Sequence, residues 1–274
     1  MQVEQEVYDS ARRIPPLVEE ILALIKYRDL IAQFVSRSIK TRYKRSVLGV
    51  VWTMLNPLLM MTVLTLVFSQ LFGRFNVQNY PVYILSGLVA WNFFSFTTSQ
   101  AMGEMIWSGS LLSRIYVPKS VFAVSAIGTG LVNLTISLVP LLIIALILGV
   151  HIHLSILVLP FSVFFLALFA LGIGLLLATA AVFFADMLPV YEVILTIWLY
   201  ATPIIYPISI VEKWLWLFRL NPLYHLVELV RQPLYNGVVP DATHWIYGGL
   251  SAILAFVIGG IIFTSKTNEY AYRI

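Results

Sequence analysis

Apolar residues fill this chain in long, nearly unbroken runs, and polar residues are confined to the short segments between them. Residues 120–185 contain no Asp, Glu, Lys or Arg. A water-soluble domain cannot hide so much continuous apolar chain, whereas a helix needs about 20 such residues to cross a bilayer. The composition agrees, with 60% hydrophobic and 11% charged residues. The pattern predicts an all-α integral membrane protein.

Hydropathy divides the chain into six predicted transmembrane helices. Because backbone amides in lipid must bond within their own segment, each span is predicted as a helix. The ten-residue alternation that is typical of barrel strands is absent. His151 and His153 divide the longest apolar run into two spans. The six spans are residues 47–72, 80–102, 120–149, 155–185, 188–211 and 245–265.

The distribution of the 17 Lys and Arg residues predicts the orientation. Nine of them precede the first span, two lie between the second and third spans, and two follow the last. Basic residues are retained on the cytoplasmic side, so both termini are predicted there. This asymmetry explains the positive net charge without a nucleic-acid partner. The predicted organisation is a cytoplasmic leader (1–46), a transmembrane domain (47–265) and a cytoplasmic tail (266–274).

The leader is predicted to contain an amphipathic helix that lies on the membrane surface. Its apolar face has Tyr27, Leu30, Ile31 and Phe34, and its polar face has Gln33, Arg37, Lys40 and Lys44. Two interpretations of Arg42, Lys44 and Arg45 stay open. They retain the leader in the cytoplasm, or they also meet an anionic substrate headgroup where the substrate enters.

The cytoplasmic segment between the second and third spans has apolar residues that an ordinary loop does not need. Pro118 blocks helix continuation at its end. A short exposed helix with apolar side chains either lies on the membrane or docks to a partner protein, and we favour docking. The segment consists of Leu111, Leu112, Ser113, Arg114, Ile115, Tyr116, Val117 and Pro118.

Residues 202–244 are apolar but are interrupted by five prolines. Pieces this short cannot span, so the pattern predicts re-entrant or interfacial helices on the external side. His225, Glu228 and Arg231 follow at three-residue spacing, which places them on one helical face. We favour a satisfied polar cluster over a ligand site. A zinc site is not expected, because further ligands at suitable spacing are missing.

No motif in the chain supplies energy or catalysis. There is no Gly-x-x-x-x-Gly-Lys-Ser/Thr phosphate loop, so ATP is not bound by that route. We find no catalytic triad, cofactor motif or metal cluster, and neither an intramembrane carboxylate pair nor an inverted repeat. The sequence predicts a transport path that is not an enzyme by itself and that depends on an energy-supplying partner.

Two segments carry a resemblance to a known family. Residues 37–52 (RSIKTRYKRSVLGVVW), followed by Asn56-Pro57-Leu58, resemble the start of the first span in the membrane subunits of polysaccharide ABC exporters. Residues 198–207 (WLYATPIIYP), followed by Asn221-Pro222-Leu223, resemble the fifth span and external gate of these type-2 permeases. Members export O-antigen, capsule polysaccharide or teichoic acid. Two positions depart from the family pattern: Ser38, where Asp is frequent, and Ala185, where Arg is frequent.

The resemblance implies a homodimer in the cytoplasmic membrane of a bacterium, with two ABC ATPase subunits that bind ATP and Mg²⁺. Segment 111–118 would be the coupling helix. The cargo would be a glycan on a polyprenyl pyrophosphate carrier. Channel-lining candidates are Trp52, Tyr191, Trp198 and Tyr200, for which a lipid-interface or packing role is the alternative. The external gate would comprise Pro203, Tyr206, Pro207, Asn221, Pro222, His225, Glu228 and Arg231.

Two other functions stay open at this point. The first is a permease of the same superfamily that exports a drug or a small lipid. The second is a membrane-embedded glycosyl- or acyltransferase, for which His225 and Glu228 are the only candidate reactive pair.

Overall fold

The computed structural model describes residues 16–44, 46–72, 77–107, 117–151 and 153–273. This described part of the chain is helical and contains no strand. Short 3₁₀ segments lie at Leu154–Val158 and Ile208–Trp214, and a π turn lies at Gln232–Asn236. The α-helices are α1 (Pro16–Lys26), α2 (Arg28–Tyr43), α3 (Val51–Phe72), α4 (Tyr80–Trp107), α5 (Ser120–Ile147), α6 (Leu159–Phe183), α7 (Met187–Tyr200), α8 (Leu215–Arg219), α9 (Pro222–Arg231) and α10 (Ala242–Arg273).

Four stretches of helix in the described residues are long and apolar enough to cross a membrane: Val51–Phe68, Ser120–Ile147, Leu154–Phe183 and Ala242–Thr267. They coincide with the predicted first, third, fourth and sixth spans. A helix suits a hydrocarbon environment because its backbone groups can bond within the same segment. The prediction of an all-helical membrane protein is confirmed.

Helix α4 corresponds to the predicted second span but is more polar than these four stretches. It packs against α5 and α6 and contributes Ile84, Leu85 and Phe94 to the core. Its buried Ser86, Thr97 and Thr98 hydroxyls leave no unpaired group, because each bonds back to a carbonyl of its own helix. Thr97 Oγ1 donates to the Phe93 carbonyl at 2.7 Å, and Thr98 Oγ1 donates to the Phe94 carbonyl at 2.8 Å.

The predicted fifth span, 188–211, is not one continuous helix. Helix α7 ends at Tyr200 and has 14 residues, or about 21 Å at 1.5 Å per residue. Pro203 and Pro207 follow its end, and a residue before proline avoids the helical conformation. The chain therefore turns at residues 201–207 and continues as the 3₁₀ segment and α8.

The leader contains two helices, of which the sequence predicted only the second. In α2, Leu30, Ile31 and Phe34 are half-buried, whereas the polar face is exposed. The Phe34 ring lies 5.3 Å from the Phe122 ring of α5. In α1, Glu20 Oε1 accepts a hydrogen bond from the Ser120 backbone N–H at 3.3 Å. That N–H is one of the unpaired donors at the start of α5.

Helices α6 and α10 make the most extensive contact in the described fold. They cross where Gly172 of α6 meets Ala255 and Gly259 of α10, with no room for a side chain at either glycine. Lipid is as apolar as the helices, so close packing of small residues takes over the role that hydrophobic burial has in water.

We expect Gly172→Ala to destabilise the protein by about 1–3 kcal/mol, because an added methyl group would overlap the Ala255 backbone. Gly249→Ala in the facing helix is the matched control, since its methyl group would meet Phe165 at 3.4 Å, an ordinary contact. The free energy of unfolding by SDS in mixed micelles measures both. Equal stability of the two variants would contradict the packing described here.

Candidate functional site

The turn after α7 is held by two tyrosines from the beginning of α4. Tyr80 Oη donates to the Ile205 carbonyl at 2.7 Å, and Tyr83 Oη donates to the Tyr206 carbonyl at 3.0 Å. The prolines of this segment keep it out of a helix, so its carbonyl groups need partners from elsewhere. Sequence analysis did not find these tyrosines.

Arg231, at the end of α9, is the most buried charged residue in the described fold, with 2% of its surface exposed. Its Nη1 donates to Glu228 Oε1 at 2.7 Å and to the Pro203 carbonyl at 2.9 Å, and its Nη2 donates to the Ile204 carbonyl at 3.3 Å. Its guanidinium carbon lies 4.1 Å from the centre of the Tyr83 ring. We call these five residues the Arg231 cluster. It joins α4, α9 and the turn after α7.

His225 does not take part in the Glu228–Arg231 pair, so the expected face of three polar residues is divided into two. The Nε2 of His225 lies 2.8 Å from the Arg219 carbonyl, and its Nδ1 lies 3.1 Å from Nδ1 of His244. Because Nε2 must donate to the carbonyl, Nδ1 accepts from His244 in a neutral pair. Burial lowers the pKa of His225, which favours this neutral form.

Asn221 connects the beginning of α9 to the end of α7. Its Oδ1 accepts from Trp198 Nε1 at 2.9 Å and from the Leu223 backbone N–H at 3.1 Å, which caps α9. Its Nδ2 donates to Thr202 Oγ1 at 2.9 Å. Pro222 occupies the first helical position, where a missing N–H has no cost.

The four aromatic residues predicted to line a channel fall into two environments. Tyr191 is buried, and its Oη donates to Thr98 Oγ1 at 2.6 Å. Trp198 is half-buried and stands edge-on to Phe94, at 5.3 Å between ring centres. Both are packing residues in this structure. Trp52 and Tyr200 are exposed over 53% and 62% of their surfaces.

Two residues that the sequence singled out separately, Arg42 and Trp52, line one cavity of about 330 Å³. The Arg42 guanidinium carbon lies 4.2 Å from the centre of the Phe96 ring. The hydroxyl groups of Tyr43 and Thr53 are hydrogen-bonded across the α2–α3 connection. This cavity opens beside the basic end of the leader.

Several predicted site residues fall elsewhere. Lys44 is exposed and does not line the cavity. Arg45 and the coupling residues Leu111, Leu112, Ser113, Arg114, Ile115 and Tyr116 lie outside the described residues. Val117 and Pro118 are half-buried where the chain leads into α5. The neighbouring Lys119 donates to the Thr267 carbonyl near the end of α10.

The sequence profile of a family described as ABC-2 type transporter matches residues 29–235. The chain belongs to the ABC-2 type transporter family. The match extends from α2 to the π turn, so it includes both the Arg231 cluster and the cavity of this ABC-2 chain. The resemblance that the motifs of the first and fifth spans suggested is confirmed.

Curated relatives of this ABC-2 chain cover nearly its whole length. The O-antigen export system permease protein RfbA of Myxococcus xanthus is 29% identical over 261 residues, which is 94% of this chain and 100% of the relative. A protein of the same name from Klebsiella pneumoniae is 25% identical, over 89% and 93% of the two chains. The polysialic acid transport protein KpsM of Escherichia coli is 25% identical, over 86% and 92%.

The sequence did not indicate Tyr80 and Tyr83, nor Asn92 and Asn133 of the cavity wall, and it offered Asn56 only as part of the family motif. The spacing of the two tyrosines placed them on one face of α4, which was the available signal. Their partners are more than a hundred residues away in the chain, so spacing alone could not name them.

We expect Glu228→Ala to destabilise the protein by about 3 kcal/mol, because it leaves the buried Arg231 charge without its counter-ion. Glu269→Ala is the matched control. Glu269 pairs with Lys266 at the same three-residue spacing, but both side chains are more than 40% exposed, so the expected loss is under about 1 kcal/mol. SDS unfolding in mixed micelles measures both variants. A similar loss in the two would contradict this account of the Arg231 cluster.

Proposed function

We propose that this chain is the membrane subunit of an ATP-driven exporter that moves a lipid-linked polysaccharide out across the cytoplasmic membrane of a bacterium. The observation that carries the proposal is the near-complete alignment with permeases that are named for O-antigen export and polysialic acid transport. Membership of the ABC-2 family supports the transport mechanism in general.

In this proposal, energy comes from two separate ATPase subunits that bind ATP and Mg²⁺. The chain has no phosphate loop of its own. Closure of the ATPases on ATP would push the coupling segment 111–118, and the movement would be transmitted into α5 through Val117 and Pro118. A lasting contact with an ATPase needs apolar side chains, and the sequence of this segment contains Leu112 and Ile115.

The proposed assembly contains two copies of the chain, and the polysaccharide passes between them. The helix α3 supports this, because Leu59, Val63 and Leu66 on its outer side are all more than half exposed. Helix α7 has a similar outer side, with Val193 and Ile197 exposed and Tyr200 at its end. These surfaces are available to lipid or to a second copy.

The proposed topology has six membrane segments with both termini in the cytoplasm. The 28 residues of α4 are long enough for a full span. Helix α7 crosses together with the turn at 201–207, and α8 and α9 dip into the outer leaflet as the external gate. Trp214 and Trp216 on this segment are exposed over about 60% of their surfaces, as tryptophans at a membrane interface are. The Arg231 cluster fixes the gate to α4.

The transferase alternative requires a reactive pair that a substrate can reach. His225 is 2% exposed and bonded at both ring nitrogens, and Glu228 is engaged by Arg231. Neither residue is free for acid–base chemistry. Export of a drug or a small lipid is the remaining alternative, and the polysaccharide names of the relatives favour the first proposal over it.

The decisive experiment reconstitutes the chain in vesicles with and without its ATPase. The isolated chain is expected to hydrolyse no ATP, and the complex to translocate a polyprenyl-pyrophosphate-linked glycan only with ATP and Mg²⁺. Leu112→Asp or Ile115→Asp should abolish co-purification of the ATPase, because a carboxylate cannot enter an apolar contact. Val239→Asp, at an exposed site on the other proposed side of the membrane, is the control. ATP hydrolysis by the isolated chain, or glycan transport without ATP, would refute the proposal.

Cysteine labelling in spheroplasts tests the topology, since the chain has no native cysteine. We expect an impermeant thiol reagent to label Lys213→Cys and Trp216→Cys in intact spheroplasts. Lys40→Cys, at an exposed position on α2, should be labelled only after permeabilisation. The opposite result at positions 213 and 216 would overturn the six-segment topology together with the external gate.

A further inference from the structure

Three long helices each contribute an asparagine to the cavity beside Arg42. Asn56 comes from α3, Asn92 from α4 and Asn133 from α5, and the latter two lie near the middle of their helices. Polar side chains at that depth of a membrane helix carry a free-energy cost, and they are typical of functional sites. The volume of about 330 Å³ falls in the range of small-molecule pockets, about 300–1,000 Å³.

One of these amides lacks a partner. Among the residues that the structure describes, no group donates a hydrogen bond to Asn133 Oδ1, although that atom is buried. Asn133 shares the cavity wall with Ser137, one turn further along α5. The amide of Asn133 and the hydroxyl of Ser137 give this wall polar groups that can exchange hydrogen bonds with a ligand.

The lining identifies the chemistry of that ligand. The cavity residues in the described part of the chain include no Asp or Glu, and their one cation, Arg42, is stacked on Phe96. Amides and hydroxyls on the wall match the alternating donors and acceptors of a polyol. Trp52, which is 53% exposed, offers a flat apolar face beside them. The combination suits a neutral sugar ring, with an anionic group next to it at Arg42.

We infer that this cavity is a sugar-binding site within each subunit, which holds one sugar of a pyrophosphate-linked glycan and places the adjoining phosphate at Arg42. The inference rests on the proposed function and adds a site to it. The site lies between α3, α4 and α5 of one chain, so it is separate from a path between two copies. A sugar bound there would position the lipid-linked end of the cargo before transport.

The first test measures access to the cavity in the full-length protein in nanodiscs. Ser137→Cys places a thiol on the cavity wall, and Thr135→Cys places one on the exposed side of the same helix. A water-soluble methanethiosulfonate should label position 137, because a polar cavity admits water. Position 135 should resist it, because a thiol in lipid does not ionise.

The same thiol reports binding of two probes: farnesyl pyrophosphate that carries one N-acetylglucosamine, and farnesyl pyrophosphate alone. The sugar-bearing probe should slow labelling at position 137 at saturation, and the sugar-free probe should not. No labelling would show a dry cavity, and labelling that neither probe slows would show a cavity filled only by water. Equal protection by both probes would show a site for the pyrophosphate or its lipid. Each of these three results would overturn the inference.

The second test removes one amide from the cavity wall. Asn133→Leu should weaken binding of the sugar-bearing probe by about tenfold, the loss expected when one buried ligand hydrogen bond is removed. Asn56→Leu, on a different helix, should do the same, and Thr135→Val should leave binding unchanged. Both leucine variants suit a membrane helix, and retained ATPase co-purification would verify that they fold.

The outcomes separate this inference from the proposed function. If the wild-type complex transports glycan while Asn133→Leu and Asn56→Leu bind the probe like the wild type, the sugar site is refuted and the export function stands. If the wild-type complex transports no glycan, the export function fails, while probe protection at position 137 still decides the site independently.

Discussion

The absence of hydrogen-bond partners in hydrocarbon is the constraint on which this structure depends. Each backbone and side-chain polar group in the membrane segments must be satisfied by the protein itself. The hydroxyls meet this requirement locally: those of Thr62, Ser125, Thr129 and Thr179 each donate to the carbonyl four residues earlier in their own helix. Serine and threonine are therefore tolerated along these helices, and long helices become the dominant element of the fold.

The constraint becomes most demanding where the helices are interrupted. After α7, Pro203 and Pro207 stop the helical ladder and leave backbone carbonyls without intrahelical donors. Arg231 donates hydrogen bonds to the Pro203 and Ile204 carbonyls, and its charge is neutralised by Glu228. One buried cation therefore provides partners for two carbonyls of the turn and fixes α9 to it. The satisfied polar cluster that the sequence favoured is thus, for Glu228 and Arg231, a structural connection between α9, the turn after α7 and α4. Among the described residues, Arg231 Nε and Asn133 Oδ1 are buried atoms that have no hydrogen-bond partner.

Helix contacts divide the fold into a firmly packed part and a loosely packed part. Helices α4, α5, α6 and α10 are in close contact, with Gly172 and Gly259 permitting the nearest approach. Helices α3 and α7 touch this group along one side and expose the other. The apolar side chains on these exposed sides are left for lipid or another protein surface to cover.

The sequence by itself determined the helical class, the position of the long helices and the family, because apolar runs and local motifs depend on neighbouring residues. It also placed Glu228 and Arg231 on one face, because helical spacing is local. Contacts between distant residues were decided by the tertiary structure. Three such contacts join helices that are far apart in the chain. Tyr83 packs on Arg231, Phe34 packs on Phe122, and three asparagines from different helices line one cavity. The end of α7 at Tyr200 was also missed, because hydropathy continues past the point where prolines stop the helix. Hydropathy measures preference for lipid, whereas packing depends on which faces meet.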